Sequence, residues 1–273
     1  MNINPKFKNA LILIKGAGDM ASGVAYRLKR AGFPLIMTEL PAPLMVRRAV
    51  CYGEAVYKGE TTVEGIRATR VDSLPQARQL ADSAIIPVLV SPAPDIARQL
   101  SPTVLVDAIM AKKNTGTSLS DAPLVIALGP GFTAKLDCHA VIETNRSHWL
   151  GRVIYEGTAQ PDTRKPGAVK GHVADRVLRA PVAGHVTPAA KLGDFIKQDQ
   201  IIATIADQAI RAPFDGVLRG LIHPDVAVTP GFKIGDLDPR GVREHCFSIS
   251  EKSLAVAGGV LEAILADEVS RDQ

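Results

Sequence analysis

Between residues 11 and 130 the chain alternates short apolar runs with amphipathic stretches, and no other feature narrows its fold as much. Leu11 to Ile14 reads as a strand. Met20 to Arg30 reads as a helix, with Met20, Val24 and Leu28 (or Ala21, Val24, Ala25 and Leu28) on one face. "FPLIMTEL" is a second strand, and "LMVRRAVCYGEAV" starts as a helix. "VDSLPQARQLADSA" is a helix with a Ser start, followed by the buried strand "IIPVLVSP", the short helix "PDIARQLS", and the strands "TVLVDAIMA" and "APLVIALGPGF". Apolar strands that do not alternate with polar residues imply a parallel sheet covered on both faces. The expectation is a Rossmann-like, mostly parallel α/β domain over residues 1–150.

After about residue 150 helical periodicity stops until Ser253, and short β runs are punctuated by Gly and Pro. An internal repeat lies here: "RAPVAGHV" (179–186) matches "RAPFDGVL" (211–218) at an offset of 32. This resembles the biotinyl/lipoyl-like half-barrel, or barrel-sandwich hybrid, so a β-rich domain is expected over residues 151–250. The carriers of that kind present a modified Lys between their two motifs. "ATIADQAIRAP" has none, so no biotin or lipoate is expected. Residues 251–273 read as an amphipathic helix, interrupted at Gly258–Gly259, that packs back on the α/β domain.

Composition excludes several classes. One Trp and 4% aromatic residues leave too little stacking surface for RNA binding. A net charge of +4 suits an anionic ligand but not nucleic acid. Cys51, Cys138 and Cys246 are far apart and form no CxxC, which speaks against a disulfide framework or structural zinc. The polar start "MNINPKFKN" does not read as a signal peptide, and no run approaches the roughly 18 apolar residues of a membrane span. A cytoplasmic protein is expected, with no membrane association.

The stretch "LILIKGAGDMASGVAYRLKRAG" carries the first site. Gly16, Gly18 and Ala21 form G-x-G-x-x-A between a strand and a helix, with Asp19 and Met20 in the same turn. In a dinucleotide site the first Gly makes the turn, the second admits the pyrophosphate, and the small third residue lets helix pack on strand. Glu39 ends the second strand, 21 residues after Gly18, where an acid would meet ribose hydroxyls. Asp19 pulls the other way, because its carboxylate at the helix start competes with a phosphate. The loop is therefore either a seat for a phosphorylated ligand or the turn that a strand-to-helix crossover needs.

A second polar concentration follows the strand "LVIAL". Asp137, His139, Glu143, Thr144, Arg146 and His148 fall within twelve positions. His139 and Glu143 share a face in either a helix or a strand, so they are expected to act together. They fall short of a metal ligand set, and no metal site is expected. From Arg146 to Lys191 there are eight Lys/Arg (146, 152, 164, 165, 170, 176, 179 and 191) against three acids, with glycines at 157, 167 and 171. That pattern suits a phosphate-bearing small molecule, or a solvated basic face.

"KGAGDMASGVAYRL", "VDAIMAKKN", "GPGFTAKLDCHAVIETNRSHWLGRVI", "KIGDLDPRG" and "ISEKSLAVAGGVLEAIL" together span nearly the whole chain. In these the sequence resembles the YqeB-type accessory proteins of the selenium-dependent molybdenum hydroxylase system. The resemblance implies a bacterial, cytoplasmic maturation factor. Its partners would be a molybdenum hydroxylase client and the client's other maturation factors, and its ligand a phosphorylated pterin of the molybdopterin type or a nucleotide. It assigns no catalytic residue and leaves open whether the protein is an enzyme or a homo-oligomer. The cofactor-binding candidates are Gly16, Gly18, Asp19, Met20, Ala21, Glu39, His139 and Arg146. Two alternatives stand beside this reading: an NAD(P)-dependent oxidoreductase using the Gly16–Gly18 loop with His139 as proton donor, and a nonenzymatic assembly scaffold.

Overall fold

The computed structural model describes residues 4–90, 95–163, 169–172 and 174–271, with side chains to residue 267. Ser91 to Pro94, Arg164, Lys165 and Gly167, all named above, lie outside the described residues. The chain divides into two compact units. Unit 1 comprises residues 1–41, 52–162 and 249–273, and unit 2 comprises residues 42–51 and 163–248. The boundary falls after residue 162 rather than 150, and residues 42–51 leave the first half to join the β-rich unit.

Unit 1 is built on β1 (Ile12–Lys15), α1 (Asp19–Ala31), β2 (Leu35–Glu39), α2 (Glu54–Lys58), β3 (Glu60–Val63), β4 (Ile66–Val71), α3 (Leu74–Ala81), β5 (Ile86–Val90), α4 (Ile96–Leu100), β6 (Val104–Asp107), β7 (Leu124–Leu128), β8 (Thr133–Ala134), β9 (Ala140–Ile142), β10 (Val153–Ile154) and β11 (Gly157–Thr158). Its large sheet has nine strands in the order β10-β9-β7-β6-β1-β2-β5-β4-β3. The central strands pair in parallel, while β3–β4 and β9–β10 pair antiparallel at the two edges. The central strands are buried on both faces, as their uninterrupted apolar runs require. Leu13, Ile36, Leu105 and Val125 pack against α3 and α4 residues Ala77, Ala81, Ile96, Ala97 and Leu100. The other face is covered by α1 together with α5 (Glu251–Arg271), which runs along α1 and touches β7, β9 and β10.

Helix α5 is continuous through Gly258–Gly259 rather than interrupted. Gly259 serves close approach instead: a β-carbon there would lie 2.2 Å from the Gly151 carbonyl oxygen.

Unit 2 contains β12 (Val177–Arg179), β13 (Gly184–Pro188), β14 (Phe195–Ile196), β15 (Ile201–Ile205), β16 (Gln208–Arg211), β17 (Gly216–Leu221), β18 (Ala227–Val228) and β19 (Lys233–Asp238). They form two four-stranded antiparallel sheets, β12-β19-β17-β14 and β16-β15-β13-β18. Exchanging β12–β15 for β16–β19 turns one order into the other. The backbone bonds follow the same exchange. Ala180 N–H donates to Phe232 O and Ala212 N–H to Gln200 O, both at 2.9 Å. Residues 42–51 join this unit through Val46, whose carbonyl accepts from Leu221 N–H at 2.9 Å. Arg47 donates to the carbonyls of His245 and Ser248, and Arg48 to that of Leu221.

The expected fold class needs correction on both counts. Unit 1 is mostly parallel through its centre, but instead of a Rossmann-like sheet it has a mixed one whose edge pairs, β3–β4 and β9–β10, are antiparallel. Glu64 and Gly65 both take positive φ, 45° and 80°, and this tight reversal turns "ETTV" back as "IRATRV". Instead of the biotinyl/lipoyl-like half-barrel, or barrel-sandwich hybrid, the β-rich unit has two separate antiparallel sheets. The further two-stranded sheet, β8–β11, belongs to unit 1.

Candidate functional site

Strand β1 is where the order of the large sheet turns, with β2 on one side and β6 on the other. In open α/β sheets the loops beyond the carboxyl ends of such strands bound a crevice. Here those loops follow Lys15, Glu39 and Asp107.

Gly16 has φ +95°, and a β-carbon on it would sit 3.0 Å from Ala108 O, so only glycine lets the loop leave β1 beside the end of β6. Ala17 N–H donates to Glu39 Oε2 at 2.8 Å, and Leu40 N–H donates to Oε1 at the same distance. Burial pushes the Glu39 carboxyl up, and these two N–H groups pull it back only in part. The acid is therefore turned toward the loop. Ala17 O accepts from Gly53 N–H and from Ser22 Oγ. Gly18 caps α1 without a side-chain bond, and Ala21 is fully buried beneath the first turn. Gly18, Asp19 and Met20 remain half-exposed. The N-terminal N–H groups and positive dipole end of α1 favour an anion.

Beside the loop a closed network fixes residues 107–121. Lys15 Nζ donates to Thr117 Oγ1 at 2.9 Å and lies 3.4 Å from Asp121. Thr117 Oγ1 donates to Asp107 Oδ2 at 2.7 Å, and Ile109 N–H to Oδ1. Burial raises the Asp107 carboxyl, opposed by these bonds and by the Lys15 charge. Asn114 takes N–H bonds from Gly116 and Thr117 and donates to Thr117 O and Asp137. Lys15 and Asp107 escaped the sequence reading. Their signal was available, because each is a polar residue ending an apolar strand, as Glu39 is.

The second polar segment is split by the sheet. Glu143 follows the carboxyl end of β9, on the same side as the glycine loop, and its oxygens accept from Asn145 N–H (2.7 Å) and Gln160 N–H (2.8 Å). Arg146, in the next turn, pairs with Glu251 at the start of α5. His139 precedes β9 at the opposite edge, where its Nδ1 accepts from Val125 N–H at 2.9 Å. Four residues of strand, at about 3.3 Å each, separate it from Glu143, so the two do not act together. His139 is likewise held away from Gly16 and Gly18. Cys138 is fully buried, and desolvation pushes its thiol up to about 12, which leaves it unreactive.

Lys252, in the first turn of α5, is a further residue that sequence reading missed. Ser253 Oγ donates to Asp19 O at 3.0 Å, which brings the first turns of α1 and α5 together. Lys252 is half-buried there, and its ammonium is lowered first by desolvation and then by Arg146 and Lys112, with Asp19 and Glu143 opposing. Among the described residues no group of three or more His, Cys, Asp or Glu could hold a metal ion, and no helix is long and apolar enough to cross a membrane.

No family model matches the chain. It is 51% identical over 255 residues to the uncharacterized protein YqeB of Escherichia coli (strain K12), covering 93% of this chain and 47% of that protein. The chain thus spans about half the length of this curated relative. Among solved structures it is similar to a succinylglutamatedesuccinylase/aspartoacylase from Rhodobacter sphaeroides (15% identity, 84% of this chain, 85% of that chain, TM-score 0.26). It is also similar to an aspartoacylase family protein from Mesorhizobium loti (10% identity, 86% of each chain, TM-score 0.26).

Proposed function

We propose that the protein is an accessory factor in the maturation of selenium-dependent molybdenum hydroxylases, and that it holds a phosphorylated pterin or nucleotide at the glycine loop of unit 1. The observation that carries this reading is the loop itself. Gly16 and Gly18 lie at the turning strand of the sheet, the start of α1 has no side-chain cap, and Glu39 is drawn onto the Ala17 N–H. The hydroxylase context comes from the resemblance carried by the motifs quoted above, and the likeness to the uncharacterized protein YqeB over most of the chain is compatible with it. The basic groups that complete the ligand's surroundings belong to unit 1 as well: Arg146 and Lys252.

No observation favours the oxidoreductase alternative, since His139, its one proton donor, sits at the other edge of the sheet. The test is thermal stability with extracted molybdopterin, guanine and cytosine nucleotides, NAD(H) and NADP(H). At a hundredfold excess over Kd a bound ligand stabilises by about 2.7 kcal/mol. A pterin or nucleotide is expected to stabilise the wild type but not Gly18→Val, whose side chain would block close approach of a phosphate. Stabilisation by none of them removes the ligand site and leaves the scaffold reading.

A further inference from the structure

We infer that Lys252, with Arg146 beside it, seats the terminal phosphate of the ligand whose nearer phosphate lies on the Gly16–Gly18 loop. This rests on the reading of the glycine loop given above and adds to it the chemical class of the ligand: a diphosphate or a longer phosphate chain rather than a monophosphate.

Position comes first. The Ser253–Asp19 bond fixes the first turn of α5, which carries Lys252, against the start of α1, and Asp19 is among the charges that reach Lys252. On its other side, Arg146 reaches α5 through Glu251.

Charge comes next. Of the four ionic groups that reach Lys252, three are held by other partners. Arg146 pairs with Glu251, Lys112 with Asp162 at 2.9 Å, and both Glu143 oxygens accept backbone N–H groups. No hydrogen bond or ion pair to Lys252 is made by the described residues. A half-buried ammonium among other cations is costly unless an anion completes it.

The same ammonium answers the objection raised by Asp19. Asp19 is one of the two anions whose field reaches Lys252. A cation at that point offsets the Asp19 carboxylate and lets a phosphate approach N–H groups that the acid would otherwise guard.

Two measurements on the full chain decide the matter. The first is labelling with pyridoxal 5′-phosphate, a phosphate-bearing aldehyde. The neutral amine of a lysine adds to the aldehyde with loss of water, and borohydride reduces the imine to a stable secondary amine. Peptide mapping should find Lys252 labelled ahead of Lys112 and Lys113, with millimolar inorganic pyrophosphate suppressing the label. Labelling spread over surface lysines, or unaffected by pyrophosphate, overturns the assignment.

The second is the thermal shift produced by pyrophosphate in the wild type, Lys252→Met, Lys252→Arg and Gly18→Val, each checked for fold by circular dichroism. Lys252→Met should bind about tenfold more weakly, the scale of one charge-assisted contact, and Lys252→Arg should recover most of the loss. If Gly18→Val loses pyrophosphate and Lys252→Met does not, the glycine-loop reading stands and the Lys252 seat falls. If Lys252→Met loses it and Gly18→Val does not, the ammonium binds anions but the loop is only a turn, and the seat as assigned falls with it. A wild type that does not respond to pyrophosphate also overturns the seat, and the nucleotide panel then judges the loop alone.

Discussion

In unit 1 the carboxylates of half-buried Glu39 and of buried Asp107 and Glu143 are held mainly by backbone N–H groups and one hydroxyl. In unit 2 those of Asp236 and Asp238 are held by arginines. Arg176 lies 2.6 Å from Asp236, Arg219 lies 3.7 Å from Asp236 and 3.8 Å from Asp238, and Arg240 grips Asp238 with its nearest contact at 2.6 Å. The two arrangements shift the acids in opposite directions. Burial wins at Glu39 and Asp107, whose carboxyls are raised. At Asp238 burial pushes up, but Arg240 and Arg219 together pull the carboxyl below its ordinary range. An acid bonded to N–H groups at the end of a strand keeps oxygen lone pairs for an incoming hydroxyl. An acid locked between guanidinia serves mainly to fasten strands. The comparison therefore sets the ligand site proposed for unit 1 apart from the arginine-fastened strands of unit 2.

The largest test is Arg219→Met. Arg219 is 8% exposed and bridges the two aspartates, so its removal breaks the middle of a buried ladder that Arg176 and Arg240 then hold only from its two ends. The expected loss is about 3 kcal/mol, seen in denaturant by circular dichroism and by hydrogen exchange across residues 216–221. The lone Trp149 belongs to unit 1, so its fluorescence should change less. An unaltered exchange pattern would mean that the arginine ladder adds nothing to unit 2.

Gly259→Ala strikes unit 1 instead. A methyl group 2.2 Å from Gly151 O must displace a backbone, and the expected cost is about 2 kcal/mol. Trp149 fluorescence, two residues from the contact, should follow the melt. Full stability would show that α5 can slide away from β9 at no cost.

Third is Lys29, 2% exposed, whose ammonium donates to Ala81 O at 3.1 Å. Desolvation lowers it to about 8, with Asp82 opposing. A pKa depressed on folding contributes stability that is present above the unfolded value and lost as pH falls through the folded one. Raising pH from 8 to 9 should therefore favour the wild type over Lys29→Met by about 1 kcal/mol. A difference independent of pH would put the ammonium in water.

Smallest is the acid response. Raised carboxyls contribute stability that is full below their unfolded values and lost as pH rises through the folded ones, and a lowered carboxyl does the reverse. Between pH 7 and about pH 4, Glu39 and Asp107 should thus strengthen unit 1, while Asp238 weakens unit 2 only below that range. Urea melts followed by Trp149, with Asp107→Asn as control, should show a gain below about 1 kcal/mol. A loss in unit 1 over that interval would reverse the assignment of Asp107.

The alternation of strands and helices, the strand-to-helix glycine turn and the repeat were all legible in the residues, because each is written over neighbouring positions. What stayed hidden depends on distant ones. "ETTVEGIRATRV" reads as neither clean strand nor helix, since it is an edge hairpin with one wet face. His139 and Glu143 look like partners until the direction of β9 is known. Two ends of one strand look alike in sequence and lie on opposite sides of a sheet. Val46 and Arg47 follow a unit 1 strand closely yet fasten to residues about 175 to 200 positions later. Lys252 is one of many lysines in sequence, and only the docking of α5 on α1 sets it apart.

The exchange of strands in unit 2 also bears on synthesis. Each of its sheets draws strands from both copies of the repeat, so neither copy can close a sheet while the other is still missing. A ribosome must pass Val228, the last residue of β18, before one sheet has all its strands, and Asp238, the last residue of β19, before the other does. The helix that covers β7 and β9 in unit 1 begins only at Glu251. Both units therefore wait on the same late stretch of chain, and the face of β7 and β9 that α5 covers stays open for most of translation. A stall or a cleavage anywhere before residue 238 leaves two incomplete bodies rather than one finished and one missing, which makes the nascent chain a natural client for chaperones.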